Sequence, residues 1–249
     1  MILEQISWDT DFFKRKTGKI SYTTHQGNED FIPFLIEADS CGYELIYVFA
    51  NGDTFIDKEV LTQYRGKLVD RKVLYAGNLD SLSLGGCDDE VVEYTDDKLS
   101  DDLERLAYLS GGYSRFRTDN GFDNDDYVRL YKTWMLKSLA KDLADKVFVY
   151  KENNRILGMV TLKYKGEMGD VGLIAVDNST QGKGIGKRLI NACARDLSAK
   201  GIYKLEVVTQ EANGAACLFY EKCGFSISSI TNIYHFWLSA TRAGKLNLI

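Results

Sequence analysis

Apolar and polar positions along the 249-residue chain fall into a succession of short periodic segments. Phe31 to Ala38 has helical spacing, with the only proline, Pro33, near its first turn, where a missing N–H is harmless. Tyr43 to Ala50 predicts a strand, Asp57 to Tyr64 a helix and Lys67 to Tyr75 another strand. Gly77 to Glu90, with Gly85-Gly86 and several Asp and Ser, predicts a loop, and Val91 to Tyr94 a short strand. These elements make residues 1–97 a small α/β unit, with a boundary to residues 98–249 near Thr95 to Ser100.

From Leu99 the pattern is helical through Leu109, breaks at Gly111-Gly112, passes Tyr113 to Arg117 and resumes as a helix from Asp125 to about Leu143. Val147 to Tyr150 and Ile156 to Lys163 predict a hairpin around Glu152-Asn153-Asn154. Val171 to Val176 follows as a buried strand, and Asp177 to Thr180 supplies turn and cap residues. Ile185, Leu189, Ala192, Cys193 and Leu197 then share one helical face, which Lys200-Gly201 ends. Ile202 to Val208 alternates Tyr203, Leu205 and Val207 against Lys204 and Glu206 as a half-buried strand, and Asn213 to Lys222 is a short helix. Cys223-Gly224-Phe225 turns that helix into the last strands, Ser226 to Leu238. The expected fold class is α/β (α+β), a mixed twisted sheet flanked by helices and preceded by a smaller α/β N-terminal domain.

At 45% hydrophobic and 27% charged residues the composition is that of an ordinary globular protein, and a net charge of −5 offers no footprint for nucleic acid or an anionic membrane. A small molecule or a discrete protein is the expected substrate. Cys41, Cys87, Cys193, Cys217 and Cys223 form no C-x-x-C pair, and His25 and His235 stand apart, so reduced thiols and no metal site are expected. The first residues carry an early acid and no long apolar run, and no window reaches the length of a membrane span, so a cytoplasmic location is expected.

The run Gln181-Gly182-Lys183-Gly184-Ile185-Gly186 lies where the central strand gives way to a helix. A helix start leaves N–H groups without intrahelical partners and carries partial positive charge. Glycines at 182, 184 and 186 would let a diphosphate reach that backbone, with Lys183 and Lys187 adding charge, although a glycine-rich turn also serves tight packing. Neither G-x-x-x-x-G-K-[ST] nor a dinucleotide fingerprint is present.

Gln181, Gly184 and Gly186 in the order Q-x-x-G-x-G, followed by Asn213, Ala216, Tyr220, Gly224 and Phe225 in N-x-x-A-x-x-x-Y-x-x-x-G-F, resemble the GCN5-related N-acetyltransferases. The resemblance implies acetyl-CoA as cofactor. It implies a diphosphate held by residues 181–187, including Ile185, with further contacts from Ala216, Phe219 and Lys222, and Asn213 either contacting the cofactor or ordering the nearby helix. It further implies carbonyl polarisation by backbone N–H groups of the Ile174, Ala175, Val176 segment, and Tyr220 as the general acid for the departing thiolate. A phenol of ordinary pKa ~10 is protonated near neutrality and suits that task. Asp170, Glu167 and Glu206 stand near the right strands, but no base is assigned.

Three further stretches, Trp8 to Phe13, Ser114 to Arg117 with Tyr131 to Trp134, and Tyr234 to Trp237, resemble the dTDP-fucosamine acetyltransferase branch. That resemblance implies transfer of acetyl to the amine of a nucleotide-linked amino-deoxy sugar, for surface polysaccharide, by a homodimer. Arg115, Arg117 and His235 are its candidate substrate residues. Each stretch also has a plainer reading: an aromatic anchor for Trp8, Phe12 and Phe13, solvated charges for the arginines, and a packed histidine in a strand for His235. Acetylation of a protein N-terminus or another small amine, and a non-catalytic acyl-CoA-binding module, are the alternatives.

Overall fold

The computed structural model describes residues 2–22, 30–82 and 90–238. Along the chain the elements are β1 (Leu3–Gln5), α1 (Ser7–Phe13), β2 (Thr17–Tyr22), α2 (Ile32–Ser40), β3 (Leu45–Asn51), α3 (Lys58–Gln63), β4 (Gly66–Asn78) and β5 (Val91–Glu93). They continue as α4 (Asp101–Ser110), α5 (Arg115–Thr118), α6 (Asn124–Leu139), β6 (Lys146–Glu152), β7 (Arg155–Lys165) and β8 (Met168–Val176). The last are α7 (Ile185–Ala199), β9 (Lys204–Gln210), α8 (Gly214–Lys222) and β10 (Ser226–Trp237). The result is a mixed sheet flanked by helices. His25 and Cys87, and half of the expected 77–90 loop, lie outside the described residues.

Local chemistry accounts for most boundaries. Ser100 caps α4 by accepting from the Leu103 N–H at 3.3 Å, and Asp101, Asp102 and Glu104 put negative charge at its positive end. Asp123 caps α6 through Asp126 N–H at 2.7 Å. That helix stops at Leu139 rather than near Leu143, because the chain turns at Ala140 and Lys141 adopts a φ of 67°. Asn153 and Asn154, at φ 49° and 62°, form the two-residue turn of the β6–β7 hairpin, a conformation asparagine tolerates better than most residues.

The chain divides into two compact units, one built up to Lys72 together with the strand segment from Ser229, the other from Val73 to Ser228. These bounds differ from the division at 97/98. β5 pairs antiparallel with β6, Val92 opposite Val149, which places residues 91–93 in the second unit. β10 returns to pair with β3, Ile233 opposite Phe49, which places the last strand in the first. In that first unit β1, β2, β3 and β10 lie in order, and Phe31, Leu35 and Ala38 at the start and along α2 pack on Ile20, Ile46, Val48, Tyr234 and Phe236. β1, α1 and β2 were not anticipated from the sequence, and the last strands are one strand.

In the second unit the order is the part of β4 from Val73, then β9, β8, β7, β6 and β5. β7 is buried at Gly158 through Thr161 without alternation, as a strand covered on both faces must be. α4 packs on β7 and β8, and α7 on β6, β7 and β8. Gly158 lets α7 approach, since a Cβ there would stand 2.9 Å from Ile185; Gly169 does the same for Leu197 at 2.4 Å. The buried face of α7 is wider than expected and includes Ile190 and Ala194, while Ala192 is only half-buried. Tyr203 precedes β9 and is exposed, its carbonyl accepting from Leu79 N–H at 2.8 Å.

Candidate functional site

β8 and β9 run parallel, in register from Met168 opposite Lys204 to Val171 opposite Val207, and there the pairing ends. β8 continues to Val176 and β9 to Gln210. On its other edge β8 stays paired with β7 through a register shift, down to Val176 opposite Gly158. Leu173 N–H donates to Thr161 Oγ1 at 2.8 Å and Asp177 N–H to the Leu157 carbonyl at 2.8 Å, so these groups face β7. Strand alternation therefore turns the N–H groups of Ile174 and Val176 toward β9, into a wedge where no strand pairs with them among the described residues. Asp170 and Glu206 stand side by side just before the wedge opens, Asp170 in an ion pair with Lys165 at 2.6 Å.

The wedge leads into the glycine loop. Asp177 caps the single turn Asn178–Thr180, accepting from Ser179 N–H at 2.9 Å, and Arg105 of α4 pairs with its carboxylate. Ser179 and Arg105 hold that carboxyl below the usual range, the hydroxyl being the larger influence. Gln181 Nε2 donates to the Val176 carbonyl at 3.3 Å and to Asn178 Oδ1 at 3.0 Å, tying the loop to the strand end. Gly182 and Gly184 both have φ of 80°, a conformation that favours glycine, and nothing lies within 4 Å of where a Cβ would be. Gly184 is the N-cap of α7 and offers no side chain to its first N–H groups. The three glycines thus divide: two leave open space in front of an uncapped helix, whereas a Cβ on Gly186 would meet the Phe219 ring at 3.2 Å, so that position serves packing. Lys183 is exposed and Lys187 half-buried beside this start.

α8 is set by Asn213, whose Oδ1 accepts from Ala216 N–H at 3.2 Å; its observed role is to order the helix. Gly224 at φ 93° and the Phe225 N–H bond to the Tyr220 carbonyl, 3.1 Å, close the far end. Tyr220 is the buried residue of α8, 3% exposed, its ring 5.1 Å from Phe219 and 5.9 Å from Phe225. Burial, and then the neighbouring Cys223 and Cys217, push its phenol up, so it stays protonated across the physiological range. Ala216 and Phe219 are half-buried on α8, and Lys222 is exposed in its last turn.

Of the expected substrate residues, Arg115 is half-buried with its guanidinium 4.4 Å from the Phe116 ring centre, and Arg117 is exposed with its guanidinium 5.4 Å from that of Tyr127. Both sit on the short helix α5, which sequence periodicity did not reveal. His235 belongs to the other unit, 0% exposed, its ring 4.7 Å from Tyr47. Trp8 is 38% exposed and stacked on Phe12 at 4.8 Å, so only Phe13 of that trio is buried as an anchor. Sequence reasoning also passed over Tyr75, the end of a predicted strand, which lies beside Tyr220. Its place depends on β4 neighbouring β9, and no local pattern signals that pairing. Among the described residues Cys41, Cys193, Cys217 and Cys223 are free thiols, and no His, Cys, Asp or Glu group is arranged to hold a metal. Among the same residues no helix is long and apolar enough to cross a membrane.

Residues 110–225, just under half of the chain, match the family model described as Acetyltransferase (GNAT) family. The chain is 32% identical over 88 residues to mycothiol acetyltransferase of Streptosporangium roseum, a match covering 32% of this chain and 26% of that protein. It is 29% identical over 120 residues to the ribosomal protein bS18-alanine N-acetyltransferase of Haemophilus influenzae, covering 44% of this chain and 82% of that one. The chain thus spans about a quarter of the first relative's length and about four fifths of the second's. A functionally unknown conserved protein from Staphylococcus epidermidis shares the fold, with a TM-score of 0.63 at 12% identity over 89% of this chain and 84% of that chain.

Proposed function

We propose that this chain is a GNAT-family N-acetyltransferase, a reading the match of residues 110–225 supports, and that it moves an acetyl group from acetyl-CoA directly to the amine of a nucleotide-linked amino-deoxy sugar. The observation that carries the reading is the parting of β8 from β9 after Val171, which opens a row of strand N–H groups straight into an uncapped helix start. The residues present fit the cofactor. Gly182, Gly184 and the first N–H groups of α7 would hold its diphosphate, with Lys183 and Lys187 nearby.

Acetyl-CoA supplies an activated thioester. The N–H groups of Ile174 and Val176 polarise the carbonyl where negative charge develops. Tyr220, kept protonated by burial, gives its proton to the thiolate that leaves as the amine nitrogen bonds the acetyl carbon, and the proton shed by the acylated amine restores the phenol by way of solvent. Arg115 and Arg117, two positions apart on α5 and each steadied by an aromatic face, are the candidates for the sugar-nucleotide acceptor because planar guanidinium groups suit a diphosphate. His235, with no exposed surface, is left to packing. The homodimer and the cytoplasmic location belong to the same proposal. A peptide N-terminus is the second reading, favoured by the similarity to an alanine N-acetyltransferase that the chain spans over four fifths of its length.

Release of free CoA thiol from acetyl-CoA is the test, with dTDP- and UDP-linked 3-amino and 4-amino sugars beside an alanine-starting peptide and a polyamine. Turnover confined to a sugar nucleotide is the expected result. Turnover of the peptide or polyamine alone replaces the acceptor and leaves acetyl transfer standing. Silence across the panel together with acetyl-CoA binding makes the chain a binding module.

A further inference from the structure

The proposed mechanism leaves unused a second buried phenol, that of Tyr75, which β4 brings to the inner side of α8. Tyr75 is 1% exposed; its hydroxyl donates to Glu221 Oε1 at 3.0 Å, and its ring lies 5.6 Å from that of Tyr220 at 41°. Glu221 directly follows Tyr220 on α8, so one side chain touches the Tyr220 ring and holds the adjoining residue at once. Tyr220 is the one of the nine residues of α8 that is buried, with half-buried Phe219 resting against Gly186, so a contact at Tyr220 and Glu221 bears directly on the depth of the helix. We propose that Tyr75 is a positioning residue: it clamps α8 through Glu221 and the Tyr220 ring, and so sets where the Tyr220 hydroxyl is presented.

The neighbourhood fits that role better than a second proton donor. Glu221 Oε1 accepts the Tyr75 hydroxyl, and burial followed by the Cys217 and Glu221 side chains raises its pKa, so the phenol stays protonated and held to neighbours on α8. A buried phenol tied to a charged acceptor makes a stronger and more directional contact than ring packing alone. Behind it Gly77 closes the layer, since a Cβ there would meet Leu82 at 2.6 Å and Phe225 at 3.3 Å. Helix, strand and clamp therefore share one packed layer in the second unit. Proton transfer depends steeply on donor placement, so a sub-ångström release of α8 is read in the rate before it is read in binding.

The inference rests on Tyr220 as the proton donor, and the experiment separates the two. Tyr75→Phe keeps the ring and removes the tether; kcat is expected to fall about 10-fold with KM for acetyl-CoA unchanged. Tyr220→Phe alone is expected to lose about 10²- to 10⁴-fold in kcat. In the double variant the Tyr75 change is expected to add nothing, because there is no hydroxyl left to place. Glu221→Gln keeps an acceptor for Tyr75 and is expected to behave like the parent, whereas Glu221→Ala is expected to match Tyr75→Phe. An unchanged kcat in Tyr75→Phe, or the same 10-fold loss when Tyr220 is already Phe, overturns the positioning role. An unchanged kcat in Tyr220→Phe removes the donor, and the positioning role with it. Melting temperatures of all variants are measured beside the rates, and a fall in kcat that merely follows the melting temperature also overturns the role.

Discussion

Asp102 shows how much one side chain can hold. It lies in the first turn of α4, accepts Arg155 Nε at 3.1 and 3.0 Å and Nη2 at 2.7 Å, and also takes the Ile156 N–H at 2.9 Å. A forked guanidinium contact of this kind ties α4 to the beginning of β7, the strand that pairs with β8. The Arg155 hydrogen bonds chiefly lower its pKa to about 2, helped by the Ile156 N–H against the cost of burial. A carboxyl depressed in the fold stabilises it above the unfolded value and loses that contribution as pH falls through the folded value. Arg155 is well exposed, which reduces the contribution to about 1 kcal/mol near neutrality. Asp102→Asn is therefore expected to lower stability by about that amount at pH 7, with the gap to the parent closing as pH falls from 4 toward 2, read by denaturant titration at each pH. A gap independent of pH would mean that shape rather than charge is what Asp102 contributes. Nothing in the sequence marks this aspartate apart from Asp101, because its partner Arg155 lies 53 positions away.

Among elements, the start of α7 was legible and the beginning of the chain was not, and the reason is the range of the forces involved. Glycine spacing, turn residues before it and an apolar stripe after it are all local, and the structure places a helix from Ile185 behind an open loop. The Asn153-Asn154 turn and the Asn213 cap were legible for the same reason. β1, α1 and β2 are short, and β2 exists because it lies beside β3, Ile20 opposite Val48, which no periodicity within Thr17–Tyr22 announces. The loop reading can be tested against its own far end. Gly184 and Gly201 flank α7 with φ of 80° and 72°, and both face open space. Alanine at either position is expected to cost about 1 kcal/mol from the left-handed backbone alone. Only Gly184→Ala is expected to raise KM for acetyl-CoA, by about 10-fold, since in the proposed reading only there would helix N–H groups meet the cofactor. Equal stability losses with KM unmoved in both would reduce the glycine loop to a turn.

At the scale of the whole molecule, the compact units do not divide at 97/98, because strand pairing overrides sequence proximity. Val91–Glu93 is the outer partner of β6, the Tyr94 N–H bonds the Val147 carbonyl at 2.8 Å, and the Glu90 carbonyl accepts the Lys151 N–H at 3.0 Å. Glu90 also pairs with Arg188 of α7, and Tyr75 and Leu82 cover Tyr220 and the Gly77–Phe225 layer. A chain of residues 98–249 would thus lose one edge strand, the strand beside β9 and the inner wall of α8. Those losses expose apolar strand surface and leave buried groups such as Tyr220 facing water, at several kcal/mol together, a large share of the ~5–15 kcal/mol that holds a domain. That truncated chain is expected to show no cooperative thermal transition under conditions where the full chain melts sharply, and to release no CoA thiol. If it melts at the parent temperature and turns over, the second unit begins at residue 98 after all, and the wall supplied by Tyr75 is dispensable to both the fold and the site.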